Sequence, residues 1–236
     1  MCNLYHVSPK GDIVTYFRTL VPDPFLEAPI VGPFGRGAFL RAGGEGLECV
    51  VGQWGLIRPG QPERIDRLPS KVPGKQGRPR STNNARIEGI EKKVTFREAW
   101  ARGRRCVVPA AWYQEPNWET GKNIWWQLRR ADGLPWALAG LWSEWVDPRS
   151  GEVVPNFTMI TTNCDQHPLL NRLHKPDPVL PADAQDKRSL VHLDPAAWEA
   201  WLRGPADQAL ALIRPPALEL FDLSDAHRTD QLLATR

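Results

Sequence analysis

Residues 104–114 read RRCVVPAAWYQ. The run is short, apolar, rich in β-branched and aromatic side chains and bordered by Gly and Pro, which is the pattern of a buried strand. The same pattern returns in LECVVGQWGLI (47–57), NIWWQLRR (123–130), PWALAGLWSEWV (135–146) and NFTMITTN (156–163). The chain is therefore built around strands. Two helices mark their own starts. In TFREAW, Thr95 is placed to cap and Glu98, three residues on, to complete a capping box. In DPAAWEAWLRGP, Asp194 is the cap, Pro195 suits the first helical position, and Gly204-Pro205 stops the helix. No internal repeat is visible. These elements predict an α+β fold.

The chain has 236 residues, 42% of them apolar. That suits a single domain, 1–236, with a looser C-terminal segment over 205–236. The 30 basic and 27 acidic side chains leave a net charge of +3. This is too balanced to imply nucleic acid by itself, so any such partner must be argued from local patches. No run of 18 apolar residues and no signal-peptide pattern occurs, which reads as a cytoplasmic protein with no membrane partner. Cys2, Cys49, Cys106 and Cys164 are far apart and form no CxxC pair, so neither a zinc site nor a disulfide framework is supported. Cys49 and Cys106, in apolar strand-like runs, read as buried thiols.

Residues 58–83, RPGQPERIDRLPSKVPGKQGRPRSTN, behave differently. Pro, Gly and basic residues dominate, the acids are Glu63 and Asp66, and there is almost nothing to bury. A loop this long within one domain is either functional or disordered. It is a solvated flexible loop or one that faces phosphate.

The chain opens MCNLYHVSP. Removal of Met1 would give Cys2 an α-amine and a thiol on adjacent carbons. The reference pKa values of such groups, about 7.7–8.0 and about 8.5, leave both usable near neutral pH. With an aldehyde the amine forms a Schiff base, and the thiol then closes a five-membered thiazolidine. An internal cysteine cannot do this, because its nitrogen is an amide.

Cys2 keeps company that gives this chemistry weight. NNARIEGIEKKVTFREAWARGRRCVVPAAWYQE (83–115), with MC at the start, WGLI at 54–57 and ITTNCD…LHKPDPVL at 160–180, resembles the SRAP family of SOS-response-associated peptidases, or abasic-site-processing proteins. Several motifs occur in the family's order, from Cys2 to the segment holding Trp198. The resemblance implies a curved or barrel-like, largely antiparallel sheet with helices outside. It also implies covalent capture of abasic sites in single-stranded DNA through the N-terminal cysteine, in DNA repair and the SOS response.

The family's NARxE motif falls on Asn84, Arg86 and Glu88. Asn84 would hold the aldehyde oxygen or the amine, and Arg86 the flanking phosphate. The family's glutamate aligns with Glu115, whose apolar surroundings would raise its pKa for proton shuttling and Met1 removal. The family's histidine aligns with His174, a proton donor to the sugar oxygen; His6, His167, His192 and His227 lack a matching context. Trp54, at the edge of the basic loop, is the expected base-stacking platform, and Arg58 beside it a further DNA contact. Trp125, Trp136, Trp142, Trp198 and Trp201 read instead as core or sheet-face residues.

The chain departs from the family pattern at Asn3-Leu4, where a basic residue is usual. It departs again at Ala111-Trp112, at Pro116 in place of a tryptophan, and at Pro176-Asp177. Three readings stay open: covalent capture of abasic sites, a thiol autopeptidase or amidohydrolase with Cys2 as nucleophile, and a noncovalent single-strand-binding module. The first two can coexist, since Met1 removal is peptide hydrolysis. The joint presence of Cys2, Asn84, Glu115 and His174 argues against the third. The expected protein is a monomer without metal or organic cofactor.

Overall fold

The structure is a computed structural model that describes residues 2–26, 29–44 and 46–235. The elements run β1 (Tyr5–Val7), α1 (Lys10–Tyr16), β2 (Ile30–Val31), β3 (Arg36–Gly43), β4 (Gly46–Trp54), β5 (Asn84–Arg86), α2 (Arg97–Ala101), β6 (Arg105–Asn117), β7 (Ile124–Leu128), β8 (Trp136–Val146), β9 (Val153–Asn163), β10 (Arg188–Leu190), α3 (Trp198–Arg203), α4 (Ala206–Ala211) and α5 (Ser224–Ala234). Each long apolar run of the sequence is one of the long strands.

Five of those strands form a closed ring in the order β9, β4, β3, β6, β8 and back to β9. The pairings are antiparallel except β4 with β9 and β5 with β9, as the expected barrel-like α+β fold requires. Closure brings backbones very near each other. A Cβ on Gly52 would lie 2.6 Å from the Pro155 carbonyl oxygen, and one on Gly140 2.6 Å from that of Thr158. Glycine on either side of β9 thus lets the ring shut. Tyr5, Phe39, Trp54, Val107, Ala139, Phe157 and Met159 fill the core, all fully buried.

The first half of β6 is buried on both faces, which is why RRCVVPA reads as an unbroken apolar run. Its outer face is covered by α3, where the Trp201 indole donates to the Cys106 carbonyl (2.9 Å) and the Arg105 guanidinium to the Trp201 carbonyl. Past Tyr113 burial alternates: Gln114 and Pro116 are partly exposed, while Glu115 and Asn117 are buried. The strand's period of two therefore turns Glu115 inward.

Three expectations change. Helix α2 begins at Arg97 after Phe96, and Thr95 makes no capping hydrogen bond, because a turn at 93–96 precedes the helix. Asp194 does precede Pro195, but it makes no side-chain cap; its carboxylate lies 3.6 Å from the buried His192 ring. The C-terminal segment is docked rather than loose. Thr229 on α5 accepts the Trp126 indole N–H (2.9 Å), and Asp225 accepts the Gln127 amide (2.7 Å).

Residues 58–83 hold no named strand or helix, only the isolated bridge Arg67–Pro79. The loop is tied down by Arg64 to Gln53 (2.7 Å), Arg80 to Asp66 (3.1 Å) and the Trp145 indole to the Gln61 carbonyl (2.8 Å). Among the described residues, no ion pair engages Lys71, Lys75 or Arg78, all exposed. Cys49 and Cys106 are buried free thiols, as their apolar runs imply.

Candidate functional site

Cys2 lies just ahead of β1 and is fully buried (0% exposed). Its carbonyl oxygen accepts two hydrogen bonds, from Asn84 Nδ2 (2.7 Å) and Asn83 Nδ2 (3.0 Å). Its thiol donates to the Leu4 carbonyl (3.3 Å). Burial pushes the thiol pKa far up, and the nearby Glu115 charge adds to the rise, so the sulfur is held as the neutral thiol. Met1, whose removal would free the Cys2 amine, is outside the described residues.

Two adjacent asparagines grip Cys2 because the chain enters β5 there. Asn84 pairs with Met159 in the parallel β5–β9 ladder, and the Asn83 carbonyl accepts the Met159 amide (3.0 Å). Asn83 is fully buried, and its carbonyl also takes the Trp54 indole N–H (2.8 Å). Asn84 Oδ1, also buried, accepts no hydrogen bond among the described residues. It is an open acceptor beside the cysteine. The sequence motif pointed to Asn84 alone; the doubled NN was the only trace of Asn83.

Glu115 sits inside the barrel mouth on β6, and burial raises its pKa to about 7. His174 Nε2 lies 3.5 Å from its carboxylate. Burial, with the charge of Lys187, pushes His174 down to about 3. Low dielectric favours the neutral form of both partners, so at neutral pH the imidazole is uncharged and any proton of the pair rides on Glu115. His174 has a left-handed backbone (φ 63°), and its N–H donates to the Pro116 carbonyl (2.6 Å). The segment thus docks on the residue after Glu115.

Sequence reasoning placed Trp54 on the surface, and the structure corrects this. Trp54 is 0% exposed, edge-on to Tyr5 at 4.9 Å, so no base can reach it. It ends β4 in the parallel pairing with Phe157, where the ring points into the core and holds Asn83. Among the described residues the exposed indole is Trp125 (53%), the one aromatic of the exposed large apolar side chains there. It stands opposite Pro116 in the β6–β7 register. A cleft of about 340 Å3, lined by Trp125 with Gln114, Gln127 and Arg129 on one side and Asp222 and Asp225 on the other, opens there. The Gln114 amide donates to the Leu4 carbonyl (3.0 Å) and its backbone lies near the Cys2 thiol, while its side chain lines the cleft on the sheet face opposite Glu115. A second cavity, of about 390 Å3, borders His174 between Trp118, Arg172, Pro176 and Lys187.

Arg86 is half exposed on β5, two residues from Asn84, and its guanidinium is ion-paired with Asp186 (2.5 Å). Arg58 is partly exposed at the start of the basic loop and makes no ion pair among the described residues. Glu88, the last residue of the motif, pairs with Arg188 at 2.6 Å. Where the family pattern breaks at Pro176-Asp177, Asp177 accepts the Val179 amide (3.0 Å) and donates its own N–H to Gln185 (2.7 Å), bracing the turn. The described residues contain no cluster able to hold a metal ion, and no helix among them is long and apolar enough to cross a membrane.

Comparison with known proteins agrees with this geometry. The chain is 30% identical to a protein of known crystal structure from Bordetella bronchiseptica, superposing with a TM-score of 0.77 over 94% of this chain and 97% of that one. A crystal structure from Bacteroides thetaiotaomicron shares the fold at 22% identity, with a TM-score of 0.71 over 94% and 90% of the two chains. Over 181 residues the chain is 27% identical to the abasic site processing protein HMCES of Xenopus tropicalis, covering 69% of this chain and 48% of that protein. The chain thus spans about half that relative's length. The family model described as SOS response associated peptidase matches residues 3–227, and the chain belongs to the SRAP family.

Proposed function

We propose that this protein captures abasic sites in single-stranded DNA covalently through Cys2, after removing its own Met1. The observation that carries the reading is the buried Cys2. Its carbonyl is clamped by Asn83 and Asn84, and its thiol feels the charge of Glu115, which is itself paired with His174. Binding alone needs none of that set. The Xenopus relative, named for abasic site processing, points the same way.

In the first step water is added across the Met1–Cys2 peptide bond, freeing methionine and the Cys2 α-amine. The Asn84 and Asn83 amides hold the Cys2 carbonyl in place, and Glu115 moves the protons. In the second, the amine attacks the aldehyde of the ring-opened sugar, and loss of one water gives the Schiff base. In the intermediate carbinolamine the nitrogen gives up a proton and the hydroxyl gains one to leave as water, with Glu115 and His174 carrying the protons. In the third, the thiol S–H adds across the C=N bond, sulfur to carbon and hydrogen to nitrogen, closing the thiazolidine. No oxidant is consumed. A sulfur held as neutral thiol suits this order, because the amine acts first and Glu115, poised at about 7, can accept the thiol proton when the ring closes.

Arg86, Arg58 and the basic loop would meet DNA phosphates, and Trp125, on the sheet face opposite Glu115, would stack a base outside the capture site. Arg86 must then exchange Asp186 for phosphate.

Intact mass decides the matter. The purified protein and Cys2→Ala are weighed alone and after incubation with a single-stranded oligonucleotide carrying one abasic site. Loss of Met1, and a heat-stable adduct one water lighter than the sum, present only with Cys2, is the expected result. A processed protein that forms no adduct would sink the capture reading and leave the peptidase.

A further inference from the structure

We infer that Lys187 is a positioning residue of this site: by gripping the carbonyls of Leu173 and His174, it fixes the peptide that aims the His174 imidazole at Glu115. This rests on the function proposed above.

Lys187 is 7% exposed, and its ammonium donates to the His174 carbonyl (2.6 Å) and the Leu173 carbonyl (2.7 Å). Among the described residues, no carboxylate lies within ion-pair distance of it. Burying an ammonium against carbonyls alone is costly, and an apolar side chain would fill the place more cheaply for stability. The lysine's backbone is itself anchored. Its N–H donates to Asp165 (2.7 Å), and its carbonyl accepts the Cys164 N–H (2.8 Å) at the end of β9.

What it grips needs gripping. His174 has a positive φ, a conformation strained for a non-glycine residue. Two fixed points hold the peptide there: the His174 N–H on the Pro116 carbonyl, and Lys187 on the carbonyls at 173 and 174. With the lysine gone the backbone can relax, and the ring then leaves Glu115, 3.5 Å away. The same ammonium helps keep the imidazole uncharged, since its field opposes a second positive charge.

The test combines the crosslinking time course over pH 5–9 with NMR titration of the His174 ring, in the unaltered protein, Lys187→Met and Lys187→Arg. In Lys187→Met the ring should titrate nearer the free value of about 6.5, and adduct formation should slow by about 10- to 100-fold with a shifted pH profile. Lys187→Arg, which keeps charge and donors, should recover part of the rate. An unchanged ring titration and rate in Lys187→Met would overturn the assignment. If that variant does not fold, exchange of the Lys187 ammonium protons in the unaltered protein decides: slow exchange supports the clamp, and exchange as fast as that of surface lysines overturns it. If the unaltered protein forms no adduct, the proposed function fails, while the ring titration still decides the role of Lys187.

Discussion

Glu115 and His174 hold neutral forms in the barrel mouth, and each makes stability depend on pH in its own direction. Glu115 is raised, so its contribution is fully present below the unfolded carboxyl pKa near 4.5 and is lost as pH climbs through about 7. His174 is lowered, so its contribution is present above about 6.5 and is lost as pH falls towards 3. Glu115→Gln removes the first cost. It should stabilise the fold above pH 7 by up to about 3 kcal/mol in urea titrations, and should remove from the proposed crosslinking reaction any rate dependence on a group titrating near 7. A variant that is both slower and less stable at pH 8 would contradict a buried, proton-storing carboxylate. The carboxylate and imidazole were legible in the sequence because the motifs around them are contiguous. Asn83 was not, because only the fold shows that both amides of the NN pair reach one carbonyl.

At the scale of elements, β6 and β7 decide which indole is exposed. The sequence reading took Trp54 as the stacking platform and Trp125 as a core or sheet-face residue, and strand registry reverses their exposure: Trp54 ends a parallel pairing inside the ring, and Trp125 stands exposed opposite Pro116. Trp125→Ala should weaken noncovalent binding of single-stranded DNA by about 1–3 kcal/mol in fluorescence anisotropy, with the melting temperature unchanged. Equal affinity would place stacking elsewhere. Ring closure rests on Gly52, whose added methyl would meet the Pro155 carbonyl. Gly52→Ala should cost about 1–3 kcal/mol in denaturant titration. A neutral result would show that β4 and β9 can part without loss. The helix caps read from Thr95 and Asp194 failed for a related reason: short helices docked on a barrel take their ends from packing, and their polar groups find other partners.

Over the whole molecule the net charge of +3 gives little attraction for DNA, so salt dependence must come from a local patch. Lys71, Lys75 and Arg78 are exposed cations of the basic loop that make no ion pair among the described residues. Replacing all three with Ala should flatten the plot of log affinity against log salt by about 2 for single-stranded DNA, at about 0.7 per lost phosphate contact. An unchanged slope would make residues 58–83 a solvated loop. The sequence by itself determined the long strands β4, β6, β7, β8 and β9, since β-branched and aromatic runs bounded by Gly and Pro are local properties; β3, a strand of the ring, was not among them. It also determined the chemistry that removal of Met1 would open to Cys2, since an α-amine and a thiol on adjacent carbons are a matter of covalent structure. Only the tertiary structure decided which strands close the ring, which tryptophan is buried, that two asparagines meet at the Cys2 carbonyl, and that Lys187 holds His174. These depend on contacts between residues tens to more than a hundred positions apart, and on a dielectric that exists only once the barrel has excluded water.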